Sequence, residues 1–123
     1  MTENYVPPKS IPELLDRYKN GERYFVGCHF DDQIYDLKDL NLEGINLSKS
    51  FILADFRGAN LKYATFYQAN VKCCDFRNAN LTNASFEDSA IDAALFKGAN
   101  FENTNFENAG VYGHSMKKGE IPD

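Results

Sequence analysis

Three cysteines, two histidines and one spaced pair of glutamates are the residues of this 123-residue chain from which chemistry could be built. Cys73 and Cys74 are adjacent, and two neighbouring thiolates do not readily share one tetrahedral metal. Cys28 lies far upstream, so no zinc-ligand spacing is present, and an odd count with an adjacent pair is no disulfide framework. His29 and His114 fall near opposite ends of the chain and are not expected to form a catalytic pair. Gly58 and Gly98 belong to no phosphate-cradling loop; each is read as a turn residue needing positive φ. Glu87 and Glu107 stand twenty residues apart, and that interval proves to be a period of the chain.

Written in fives from Lys49, the sequence runs KSFIL, ADFRG, ANLKY, ATFYQ, ANVKC, CDFRN, ANLTN, ASFED, SAIDA, ALFKG, ANFEN, TNFEN, AGVYG. The third residue of all 13 units is large and apolar, and after Lys49 the first is small, which removes chance as an explanation. A period of five suits neither a helix nor a flat strand. Positions one and three point inward as in a very short strand, and the remaining residues turn a corner. The segments DFRGANL, DFRNANL and LFKGANF recur at twenty-residue intervals, so four units close one turn of a four-sided coil. The implied interior columns are Phe56-Phe76-Phe96, Phe66-Phe86-Phe106, Leu61-Leu81-Phe101 and Phe51-Val71-Ile91-Val111, stacked at a strand spacing of about 4.8 Å. Asn60, Asn80 and Asn100 form a further column, read as a hydrogen-bonding ladder that supports the turns.

The period decides the chemistry. Cys74 replaces the usual inward alanine, Cys28 fits the same inward position, and Cys73 points out. Glu87 and Glu107 stack one turn apart at roughly the carboxyl separation of retaining glycosidases. A convex rod, however, offers no cleft to exclude water. No catalytic, metal or cofactor site is expected, and the chain is not read as an enzyme.

Units ADFRG, ANLKY, CDFRN, ANLTN and ANFEN resemble the pentapeptide-repeat family, whose pattern is A-[DN]-[LF]-x-x, over residues 25 to 113. The resemblance implies an all-β fold, a right-handed quadrilateral β-helix. It also implies one partner. Some members that protect against gyrase-directed drugs resemble duplex DNA in shape and charge and bind DNA gyrase, and some relatives dimerise through the carboxyl end.

Departures from the period locate irregularities and ends. Leu37, Leu42 and Leu47 continue it in another register, with one residue lost between Leu47 and Phe51. Phe25 and Phe30 fit a further register, with two extra residues around 31–35 that predict an outward bulge. Leu95 replaces a polar residue at an outward position and is expected to be exposed. Ser10-Ile11-Pro12-Glu13 reads as a capping box, followed by Ile11, Leu14, Leu15 and Tyr18 at helical spacing and by Gly21 as a stop. The expected organisation is a disordered tail at 1–9 and a capping helix at 10–21. A β-solenoid of 4 to 5 turns at 22–113 and a bare carboxyl tail at 114–123 complete it.

What remains for function is the outer surface. One face carries Arg57, Arg77 and Lys97 flanked by Asp55 and Asp75, a checkerboard of ion pairs. The opposite face carries Tyr67, Glu87 and Glu107 with Asp88 at the neighbouring corner, within the most acidic stretch of the chain. A modest net charge of −5 argues against direct nucleic-acid binding, which needs a basic surface. With 12 acidic and 7 basic residues between 25 and 113, the coil also falls short of the charge density of DNA. The start MTENYVPPKS shows no secretory signal, and no apolar run approaches the roughly 18 residues that span a bilayer. A soluble cytoplasmic protein–protein interaction module or scaffold is expected, monomeric or joined end to end through its carboxyl terminus. Mimicry of DNA towards gyrase or another nucleic-acid enzyme is the alternative.

Overall fold

The computed structural model describes residues 4–122. They form a helix α1 (Ile11–Lys19) followed by a four-sided coil containing the strands β1 (His29–Asp36), β2 (Phe51–Asp55), β3 (Gly110–Val111) and β4 (His114–Ser115). Elsewhere the coil is joined by single-residue parallel bridges. From Asp55 onward these fall at the second residue of each unit and link positions twenty apart: Asp55 with Asp75, Asn60 with Asn80, Thr65 with Ser85, Asn70 with Ala90.

Each unit is a tight turn. The N–H of the first residue of the next unit closes onto the carbonyl of the third, as in Ala59 N to Phe56 O (3.0 Å) and Ala64 N to Leu61 O (3.1 Å). The fifth residue then takes the left-handed conformation, even where it is Tyr63, Gln68, Cys73 or Ala93 (φ 56–65°). That conformation costs about 1–2 kcal/mol for a residue with a Cβ. Its N–H is repaid by a bond to the next coil, for example Tyr63 N to Thr82 O (3.0 Å) and Gln68 N to Glu87 O (3.0 Å).

Where it is polar, the second residue of a unit locks the turn from outside. Asn60, Asn70, Asn80 and Asn100 each accept, through Oδ1, the N–H two residues further on at 3.0–3.1 Å. Thr65 and Ser85 do the same with their hydroxyls. The asparagine column is therefore not the ladder expected from sequence. Asn60 Nδ2 does reach Asn41 Oδ1 across the turns (3.0 Å), but the Oδ1 groups of Asn80 and Asn100 serve the turn of their own unit. Short polar side chains hydrogen-bond most easily to backbone two residues away, and that local bond wins here.

Two phenylalanine columns fill the interior. Phe56, Phe76 and Phe96 stack with ring centres 5.1 and 5.2 Å apart and near-parallel planes. Phe66, Phe86 and Phe106 stack at 4.8 and 5.0 Å, and the two columns meet edge to face. The fourth interior column differs from expectation. Ile52 is buried and Phe51 is 42% exposed, so the column runs Ile52-Val71-Ile91-Val111. The missing residue lies between Ile52 and Phe56, because Leu47 to Ile52 is still a full unit. The first coil is accordingly one residue short, with Asn41 bridged to Asn60 and Asn46 to Thr65. Opposite the strand that lost the residue, β1 bulges between Phe30 and Tyr35, where Ile34 is exposed.

The ends are more ordered than the tails expected from sequence. Residues 1–3 of the expected disordered segment 1–9 lie outside the described residues. From Asn4 onward the chain packs on the coil: the Tyr5 hydroxyl donates to Val26 O (2.8 Å), its ring meets Tyr24 edge to face, and Pro8 is buried. Ser10 Oγ accepts Glu13 N–H at the start of α1 (3.1 Å), while the Glu13 carboxylate accepts from Lys9 N rather than Ser10 N. Leu14 is buried against the coil, with Ile11, Leu15 and Tyr18 partly so. At the other end the described residues of the expected tail 114–123, which are 114–122, are not bare. β3 and β4 form an antiparallel hairpin, and Met116 is 3% exposed over the last coil, bonded through its backbone to Asn108 and Ala109. A large apolar residue buried at the end of the coil stands where a further unit would follow.

Candidate functional site

The coil sorts its outward side chains into four faces. On the first, Lys38, Arg57, Arg77 and Lys97 take the fourth position, and Asp36, Asp55, Asp75 and Leu95 the second. Arg57 pairs with Asp55 at 2.8 Å and Arg77 with Asp75 at 2.6 Å, both through two guanidinium nitrogens. Arg57 also lies 3.6 Å from Asp75 on the next turn, so the checkerboard read from sequence is present. The side-chain hydrogen bonds from Arg57 and Arg77 hold the Asp55 and Asp75 carboxyls below the usual carboxylate range. Sequence reading missed Asp36 and Lys38, which continue this column 3.9 Å apart, because the lost residue between Ile52 and Phe56 hides them from a strict period of five. At the other end Leu95 takes the acid's place and is 47% exposed, and among the described residues Lys97 has no ion-pair partner.

On the third face Tyr67, Glu87 and Glu107 are half-buried and occupy equivalent positions of successive turns. Asp88 is at the corner with φ 59°, its N–H bonded to Glu107 O (3.0 Å). The structure brings these four residues to one side of the rod. It adds to them Ser85 and Asn105, which fix the backbone of Glu87 and Glu107 at 3.2 and 2.9 Å. The second face is largely neutral, with Asn60, Asn80 and Asn100 beside Lys62, Thr82 and Glu102. The fourth carries an exposed aromatic pair that sequence reading did not single out, His29 stacked on Phe51 at 5.2 Å. The offset register placed Phe51 in the core, which hid that pair.

The cysteines are separated by exposure. Cys73 is exposed at a corner, whereas Cys28 and Cys74 are buried. Burial pushes the Cys28 thiol up to about 11 and the Cys74 thiol up to about 12, and Cys74 donates to Ile52 O. Among the described residues no group of three or more His, Cys, Asp and Glu side chains could hold a metal ion, and no helix is long and apolar enough to cross a membrane. His114 pairs with Glu120 at 3.0 Å, at the opposite end of the coil from His29.

A coil of five-residue units with four sides and inward phenylalanine and leucine defines a class. The family pattern described as pentapeptide repeats matches in 8 copies, over residues 36–72, 50–88 and 59–98, together half of the chain. The chain belongs to the pentapeptide-repeat family, whose members fold as right-handed quadrilateral β-helices. Among solved structures it is similar to the pentapeptide repeat protein Rfr23 from the cyanobacterium Cyanothece 51142. That likeness has a TM-score of 0.69 and 18% identity, covering 83% of this chain and 95% of that one. It is also similar to alr5209, a pentapeptide repeat protein from Nostoc Pcc 7120, with a TM-score of 0.64 and 24% identity, covering 94% and 92%. Both are likenesses of fold. No curated protein matches the chain.

Proposed function

We propose that this chain is a protein-interaction module that presents rigid columns of side chains to a protein partner. One observation carries the reading. The turn-locking bonds hold the backbone of Tyr67, Glu87 and Glu107 on successive coils, so their side chains leave the rod as a straight acidic and aromatic strip with Asp88 beside it. A backbone already held in place loses little freedom on binding, which favours association. The strip suits a basic partner surface, and the Arg57, Arg77 and Lys97 column is the second candidate face. α1 serves in this reading as the amino-terminal cap, shielding the first coil from strand addition. A role in the cytoplasm as a monomer or end-to-end dimer accompanies the proposal.

Mimicry of DNA takes less support. The Asp55 and Asp75 carboxylates are each neutralised by an arginine of their own unit, which breaks up the negative surface a duplex would present.

The test is affinity capture from host lysate by the natural chain and by Glu87→Lys, Glu107→Lys. Both substitutions sit on partly exposed positions and leave the core untouched. A partner retained by the first and lost by the second supports the acidic strip. Equal retention moves the site to another face, and retention by neither removes the interaction reading.

A further inference from the structure

On the first three faces of every coil but the last, the N–H groups of the third and fifth residues donate to the coil above. On the second face, Leu61 and Tyr63 donate to Asn80 O and Thr82 O, and Leu81 and Asn83 to Asn100 O and Glu102 O, at 2.9–3.0 Å. The carbonyls of Ala59 and Ala79 in turn accept from Asn80 and Asn100 at 3.0 Å. The equivalent groups of the last coil are Phe101 N–H, Asn103 N–H and Ala99 C=O. None of them has a backbone partner among the described residues.

The side chains report the same opening. Leu61, Leu81, Ala59 and Ala79 are at most 1% exposed, whereas Phe101 and Ala99 at the matching positions are only partly buried. Other parts of the terminal coil are occupied. Asn108 N–H reaches Met116 O on the third face, and β4 covers β3 on the fourth. Phe96, Gly98 and Phe106 N–H also have no backbone partner among the described residues, but the Phe96 and Phe106 rings are at most 2% exposed, so the step at Ala99–Asn103 is where the unpaired edge and a partly uncovered interior ring coincide.

We propose that this step accepts one extended segment of a partner protein, added as the next parallel strand. The inference rests on the interaction-module reading but uses a different surface from the acidic strip, so the two fail separately. The step dictates the segment's chemistry. Two of its carbonyls accept from Phe101 and Asn103, and one of its N–H groups donates to Ala99, repeating the bonds of the coil below. A large apolar side chain, best aromatic, lies over the Phe101 ring as the phenylalanines of the interior lie over one another at about 5 Å. Two residues earlier the segment must be small, because it faces Ala99. One residue after the aromatic it meets Glu102, which is exposed and makes no ion pair among the described residues. A lysine or arginine fits there. The partner segment thus reads small, any, aromatic, basic.

The experiment uses the full chain, amide exchange and a blocked peptide Gly-Ala-Thr-Phe-Lys-Gly, with versions carrying Asp for Phe or Glu for Lys. In the free protein the Phe101 and Asn103 amides exchange about 100-fold faster than those of Leu81 and Asn83, and the peptide slows them about tenfold at saturation. The Phe-to-Asp peptide leaves them unprotected. Glu102→Lys, on an exposed side chain, reverses the preference so that the Glu peptide binds about fivefold better than the Lys peptide. The proposal is overturned if millimolar peptide leaves these amides unchanged or if protection appears elsewhere. It is equally overturned if protection rises with protein concentration alone, which assigns the step to a second copy. Indifference of both proteins to the Lys and Glu peptides overturns the stated partner.

Discussion

Replacing Phe76 by alanine should be the most damaging single truncation in this rod. The ring is fully buried, stacked on Phe56 at 5.1 Å and on Phe96 at 5.2 Å, and meets Phe66 and Phe86 edge to face. Loss of the buried ring costs about 3–5 kcal/mol with the cavity it leaves. Each aromatic pair adds roughly 0.5–1.5 kcal/mol, though the four are not additive. About 5 kcal/mol is the expected total, a large part of the stability of a domain this size. At about 0.26 kcal/mol per degree for 123 residues, the melting temperature falls by on the order of 15–20 °C. Phe101→Ala is the internal control. Its ring has neighbours within its own coil but none stacked above it, and about 1–2 kcal/mol is expected. Urea unfolding followed by far-ultraviolet circular dichroism measures both. Equal losses for the two variants, or a loss under about 2 kcal/mol at Phe76, would refute the stacked column as the source of stability.

Other expectations follow from single contacts. Because Asp55 and Asp75 have folded pKa values below their unfolded ones, their contribution is complete above about pH 4 and is lost as pH falls through the folded values. Asp75→Asn should therefore cost about 0.5–1 kcal/mol at pH 7 and progressively less as pH falls through the folded value, read from urea midpoints across pH. Gly98 has φ 79° and lies against Asn78 Oδ1 of the coil below, so Gly98→Ala should lose about 1–2 kcal/mol. Adding Asn78→Gly should recover part of that loss, which a double-mutant cycle measures. Full additivity would rule out the contact. Of the three thiols only Cys73 should react rapidly with a maleimide in the native protein, all three reacting in denaturant; mass spectrometry counts the adducts.

The solenoid was legible because its core rule is local and repeated. A large residue every five positions can be read without knowing what it touches, and Phe56 to Phe106 fell where the period put them. Phe51 did not, because either Phe51 or Ile52 could fill the column in the sequence KSFIL. Only pairing with β1 decides, since Phe30 bridges Ile52. The terminal hairpin was hidden for a related reason. His114-Ser115-Met116 departs from the unit pattern, and the value of Met116 as a lid depends on the chain folding back. The candidate face residues were readable as columns. Their ion pairing needed coordinates only at Arg57, which reaches both its own Asp55 and Asp75 of the next coil.

The left-handed corners give the rod an indexing property. Every unit turns the chain by one quarter, and each interior column already holds more than one kind of large apolar residue. Inserting one whole unit after Asn78 would leave each apolar residue inside but move everything downstream on by one side. Glu87 would then stand above Lys72 instead of Tyr67, and Asp92 above Arg77 instead of Lys72. An insertion of four units would lengthen the rod and restore every column. Gain or loss of single units can thus permute the faces of such a protein in one genetic step, exchanging surfaces without rebuilding the core that holds them.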